Sequence, residues 1–247
     1  MKRARLVGTI MAALVAGCAA PKANLSIPQT KEIAVEQMVK SVPLVFYAGS
    51  AGAGVLFKSG GKIGCLTAAH VIADGDPNDE KKPLTYGTKM IHITGYAAGT
   101  ETLEYTTTAK LVAISPDEDW AVLEVAEERS GMNFSTFADR LPRIGQSVWA
   151  VGSPMFDAGT ISRGVVCHPH RNPVIHKDLR MDFIHTDAAG TLGSSGGGLF
   201  TDDGVCVGII TRKHPMNDTM YAVPTERIHE SLCGMFLPPD PFPPFVE

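Results

Sequence analysis

Short apolar runs, each cut off by a turn residue within about a dozen positions, constrain this chain more than any other feature. From residue 42 onward the β-branched and alternating stretches at 42–48, 55–57, 63–67, 90–96, 103–114 and 121–125 read as strands. So do 147–151, 161–166, 182–186, 205–211 and 220–223. Gly, Pro, Asp or Asn punctuates the breaks. Strands recurring every ~8–20 residues with little helix between them specify an all-β barrel or sandwich. Residues 127–142 interrupt the pattern and are expected to join two halves. Residues 225–235 form the one well-marked helix, with Ile228, Leu232 and Met235 on a common face. Residues 30–39 allow one or two helical turns.

Composition narrows the class. With 44% hydrophobic residues the 247-residue chain can build a packed core and is not disordered. A net charge of −4 offers no basic stripe for phosphates, which argues against nucleic acid as a partner. No internal run reaches the ~18 apolar residues of a membrane-spanning helix.

The first residues look like an address. Lys2, Arg3 and Arg5 precede a stretch from Leu6 to Gly17 without charge, the layout of a secretory leader over residues 1–17. Val15-Ala16-Gly17-Cys18 resembles a bacterial lipobox, in which Cys18 becomes the lipidated first residue; ordinary cleavage after Ala20 is the alternative. Loss of the three cations would take the net charge from −4 to −7. By resemblance to Gram-negative lipoproteins, Ala19 rather than Asp after the Cys favours the outer membrane. Residues 18–40 read as a linker, 41–236 as the folded unit, and 237–247, with five prolines, as an extended tail. The remaining four cysteines allow three full pairings among which the sequence does not choose.

Three segments carry chemistry. Thr67-Ala68-Ala69-His70 ends an apolar strand, Asp119 opens the run Trp120-Ala121-Val122-Leu123, and Gly193-Ser194-Ser195-Gly196-Gly197-Gly198 is glycine-rich. A serine hydroxyl needs a base to take its proton, and the base needs an orienting carboxylate. It also needs donors aimed at the oxyanion that develops. Ser195 is the candidate nucleophile, His70 the general base and acid, and Asp119 the group that fixes the imidazole tautomer. The Gly193 and Ser195 amides are the candidate oxyanion hole, since glycine lets successive N–H groups turn toward one point. The chain order His, Asp, Ser is that of the chymotrypsin template. An α/β-hydrolase would run Ser, acid, His with βα alternation, which is missing.

Beyond that order, Ile184-His185-Thr186-Asp187-Ala188-Ala189 followed by Gly193-Ser194-Ser195-Gly196-Gly197 resembles the nucleophile region of the high-temperature-requirement (Deg) proteases, bacterial trypsin-like serine proteases. Ala53-Gly54-Val55-Leu56 through Leu66–Val71, Val151-Gly152-Ser153-Pro154 with Thr160–Val166, and Tyr221-Ala222-Val223-Pro224 resemble further segments of the same family, in order, over roughly residues 40–235. The resemblance implies two perpendicular six-stranded β-barrels with a C-terminal helix, protein or peptide substrates, and no cofactor or metal. It places the base of the primary pocket near Ala189, with Thr211 and Tyr221 as walls. An uncharged base implies a small or medium apolar side chain. No PDZ-type domain is expected after the last helix. The chain departs from the family at Ser194, usually Asn, at Gly198, usually Pro, and at Thr191-Leu192, often Asn-Pro. Gly198 is expected to loosen the loop. Cys167, His168, His170 and His176 cluster without a standard zinc spacing, so no metal is expected there. Arg212 and Lys213 are read first as a solvated hairpin, with attraction of acidic substrates as the alternative.

Overall fold

The computed structural model describes residues 29–75, 84–153, 159–171, 182–190, 193–214 and 216–234. The leader with Cys18, His176 and the tail 237–247 lie outside the described residues. The β-rich pattern of the sequence becomes fifteen strands among the described residues. Those of the first half are β1 (Leu44–Tyr47), β2 (Ser50–Ala53), β3 (Val55–Ser59), β4 (Lys62–Thr67), β5 (Ala73–Asp74), β6 (Thr85–Tyr86), β7 (Ile91–Tyr96), β8 (Leu103–Ser115) and β9 (Trp120–Val125). The second half holds β10 (Ser147–Gly152), β11 (Thr160–Arg171), β12 (Phe183–Thr186), β13 (Gly198–Thr201), β14 (Cys206–Lys213) and β15 (Met220–Pro224). Two helices flank them, α1 (Gln29–Lys40) and α2 (Thr225–Gly234).

The two halves close differently. The second is a closed barrel in the order β10-β11-β12-β15-β14-β13, all six strands antiparallel to their neighbours. The first is a seven-stranded sheet, β2-β1-β7-β8-β9-β4-β3, that curls into a half-barrel: the Gly54 and Leu56 amides at its β3 edge donate to the Pro43 and Ser41 carbonyls just before β1. Its seventh strand is Ser50–Ala53, which pairs with β1 across a tight reversal. Ala48 and Gly49 make that reversal with φ of 51° and 90°. A strand this poor in β-branched residues escapes a propensity reading.

Three apolar clusters fill the fold. One lies within the first sheet around Val45, Leu56, Ile93 and Leu123, and one within the barrel around Val148, Ile184, Leu199 and Ala222. The third joins the halves: Phe57, Leu66 and Trp120 of the sheet pack with Phe137, Phe183, Phe200 and Ile228. Burying an aromatic side chain contributes about 1.5–3 kcal/mol, so this seam fixes the relative placement of the halves. The connector at 127–142 runs along it. Ser135 donates its N–H to the Leu56 carbonyl of the sheet, and Ala138 donates to Cys206 of the barrel.

Residues 29–40, read as linker with room for one or two helical turns at 30–39, form the helix α1. Met38 is buried in the seam, and Ser41 receives a 2.7 Å hydrogen bond from Ser135 Oγ. Cys65, Cys167 and Cys206 are free thiols, and burial pushes Cys65 and Cys206 up to about 12, which keeps both inert.

Candidate active site

His70 sits on a 3-10 turn, Ala69–Ile72, that continues from β4. Ala69, Val71 and Ile72 are buried beneath it while the imidazole is about half exposed. The segment after the turn is tied down. Gly87 donates to the Ile72 carbonyl, and the Asp74 carboxylate accepts from the Tyr47 and Thr88 hydroxyls and pairs with Lys89 at 2.8 Å. Lys89, Thr88 and Tyr47 together hold the Asp74 carboxyl well below the usual carboxylate range.

Asp119 closes the turn before β9 with φ of 60°, a left-handed conformation that Asp tolerates better than most residues. Its carboxylate is 5% exposed and turns onto His70. Both Oδ1 and Oδ2 lie 3.0 Å from Nδ1, and Oδ1 also accepts the His70 backbone N–H at 3.1 Å. An acid in this arrangement holds Nδ1 as the protonated nitrogen and leaves Nε2 to act as a base. Arg212 Nη2 stands 3.7 Å from Oδ2, an ion pair too long for a hydrogen bond. Tyr86 shares the surroundings: burial raises its phenol first, and the charges of Asp119 and Asp117 raise it further.

Ser195 reaches the same place from the barrel. Its carbonyl accepts the Ala53 N–H at 2.8 Å, which binds the loop to the end of β2. A Cβ on Gly52 would lie 2.7 Å from that carbonyl and 2.6 Å from the Val71 side chain. Gly52 is therefore the thin point where the His70 turn and the Ser195 loop come together. Gly196 has φ of +84°, and a Cβ there would fall 2.0 Å from the Ala53 carbonyl and 2.3 Å from Thr67 Oγ1. Thr67 Oγ1 in turn donates to that carbonyl at 2.7 Å. The far side of the loop is fixed by Gly196 N–H to the Ile210 carbonyl, 2.7 Å, and Ile210 N–H to the Gly197 carbonyl, 2.8 Å.

Gly193 has φ of +96°, and its amide and that of Ser195 donate to no acceptor among the described residues. No hydrogen bond joins Ser195 Oγ to the imidazole among the described residues. Such contacts tighten on substrate binding in many sites of this kind.

The structure separates the three residues assigned to the primary pocket. A cavity of about 190 Å³ opens beside Ser194, lined mainly by Val151, Gly152, Ile161, Ala189 and Ile210. Ala189 lines it, and its carbonyl accepts from Ser162 Oγ at 2.5 Å. Thr211 and Tyr221 do not line it. Thr211 is buried at a register shift between β14 and β15, and Tyr221 is buried against His185, ring centroids 4.9 Å apart. Gly198, expected to loosen the loop, is a buried strand residue paired with Val151 and Ile209. A Cβ there would meet the Phe200 ring at 2.3 Å, so the glycine serves packing. Asp187 accepts the Val165 N–H at 2.6 Å and does not take the place of Asp119. The contact of Arg212 with Asp119 had no sequence signal beyond a basic pair at a strand end.

Comparison with known proteins adds the family. The model of the trypsin-like peptidase domain matches residues 52–209. A probable periplasmic serine endoprotease DegP-like of Bartonella henselae is 34% identical over 164 residues, covering 65% of this chain and 27% of that protein. Its counterpart in Rickettsia conorii is 33% identical over 191 residues, covering 76% and 32%. The matched stretch thus spans about a third or less of these relatives. Among solved structures, the HtrA-type protease AlgW with tripeptide superposes with a TM-score of 0.65 at 25% identity, covering 83% of this chain and 63% of that one. A serine endoprotease from Yersinia pestis shares the fold, with a TM-score of 0.62 at 24% identity over 85% of this chain and 67% of that one.

The loop geometry makes a direct prediction. Gly196→Ala should cost at least about 2 kcal/mol in denaturant unfolding, because it combines left-handed strain with a backbone clash. Gly60→Ala, at φ +55° in open space, should cost only about 1–2 kcal/mol. Equal losses would show that Gly196 is not locked between Ala53 and Thr67.

Proposed function

The chain belongs to the trypsin-like peptidase family, and from that footing we propose that it is a serine endopeptidase acting through Ser195, His70 and Asp119. The observation that carries the reading is the two-oxygen grip of the buried Asp119 on His70 Nδ1 and backbone N–H. Ser195 Oγ attacks the scissile carbonyl and its proton passes to His70 Nε2. The carbonyl oxygen, now an oxyanion, rests on the Gly193 and Ser195 amides. Collapse of the tetrahedral intermediate breaks the C–N bond as His70 delivers the proton to the leaving amine. Water, deprotonated by His70, then hydrolyses the acyl-enzyme and restores Ser195. The uncharged Ala189 supports a small or medium apolar side chain at the cleaved residue, on protein or peptide substrates.

A second reading, a binding or chaperone module on the same fold, draws on the substitutions around the loop, Ser194 and Gly198. A fluorophosphonate probe separates the two. Wild type should label under native conditions and Ser195→Ala should not. A folded wild type that fails to label would favour the binding module.

The periplasmic relatives support a cell-envelope location. The basic cluster, apolar run and Cys18 support lipidation at Cys18 and a membrane anchor. Cys18→Ser should move the protein from the membrane to the soluble fraction. Wild type recovered entirely in the soluble fraction would rule the anchor out.

A further inference from the structure

Asp119 is the most deeply buried carboxylate of the site, 5% exposed, and a buried carboxylate stays ionised only when charge and hydrogen bonds compensate its desolvation. A neutral His70 brings hydrogen bonds without charge. The cation nearby is Arg212, on β14. The strand register slips between Ile210 and Arg212, with Thr211 as the extra residue, and β14 bends there. The guanidinium is 30% exposed, and its Nη2 stands 3.7 Å from Asp119 Oδ2. Its Nε is buried with no partner among the described residues, so hydrogen bonds to the barrel do not account for its position. Ile210, two residues earlier and bonded to the Ser195 loop, has no side-chain donor to offer the carboxylate. Lys213 next door points its charge elsewhere, 2.7 Å from Asp218.

We propose that Arg212 is a positioning residue of the triad: its guanidinium, facing Oδ2, braces the Asp119 carboxylate in the orientation that grips His70. The inference rests on the serine endopeptidase reading. Arg212 touches no reacting atom and acts through Asp119. It therefore acts on how the carboxylate is aimed at the imidazole. The groups facing this corner are His70, Asp117, Asp119 and Tyr86 from the sheet, and Lys213 with Asp218 from the barrel. None of these replaces Arg212 at Asp119 Oδ2.

The test compares wild type, Arg212→Gln and Arg212→Lys on two peptides that differ only in a neutral or acidic residue flanking the scissile bond. Arg212→Gln should lower kcat on both by roughly tenfold with little change in KM, the loss of about 1.4 kcal/mol at the transition state. Arg212→Lys should recover much of the rate. In an Asp119→Asn background, Arg212→Gln should cost nothing further. Unchanged kinetics in Arg212→Gln would overturn the proposal, as would an undiminished loss in the Asp119→Asn background. A loss confined to the acidic peptide would make Arg212 a substrate-reading residue instead. If Arg212→Gln fails to fold, Arg212→Met, which keeps the stem without the charge, carries the same comparison. Failure of wild type to label with fluorophosphonate would count against the enzyme reading and not against Arg212.

Discussion

A carboxylate nearly cut off from water, held against one imidazole, organises this molecule. Asp119 spends Oδ1 on the backbone and ring of His70 and shares Oδ2 between the ring and the field of Arg212. Each partner comes from a different part of the chain: the turn after β4, the turn before β9, and the bent end of β14. The grip on His70 and the ion pair with Arg212 form only where all three converge. The folding of both halves is thus a precondition for a competent base, and the left-handed backbone at Asp119 is tolerated because its surroundings over-determine it.

The same convergence explains the glycines. Gly52 and Gly196 lie where the sheet and the barrel loop touch, and neither position has room for a Cβ. The Ala53 carbonyl serves as a hub that receives Thr67 Oγ1 and presses against Gly196, while the Ala53 N–H holds the Ser195 carbonyl. The nucleophile loop is therefore fixed to the half of the fold that carries the base. The apolar seam of Phe57, Trp120, Phe137, Phe183 and Phe200 holds that junction from below.

Much of this was legible in the residues. Strands built of Val, Ile and Thr announced themselves, and the meeting of His70 with Asp119 was expected from chemistry and chain order. Ser50–Ala53 did not, because Gly, Ala and Ser pack into strands only where a neighbour demands closeness, and that demand is tertiary; Gly198–Thr201 is four residues long and runs straight out of the glycine-rich loop, which hid its start. Thr211 and Tyr221 were expected as pocket walls from the family resemblance. A register shift in β14 buries Thr211, and the stacking on His185 turns Tyr221 into the barrel. Arg212 looked like half of a solvated basic pair. Its partner is 93 residues earlier in the chain, beyond the reach of any local pattern.

The central claim is that Asp119 holds His70 in the tautomer and orientation that general-base chemistry needs. Asparagine has nearly the same shape and also tolerates left-handed backbone, so Asp119→Asn tests the charge with little change in form. The decisive measurement is peptide turnover in Asp119→Asn alongside its unfolding curve. A fall of about 10⁴ in kcat with stability retained is the predicted result. Full turnover in a folded Asp119→Asn would contradict the account.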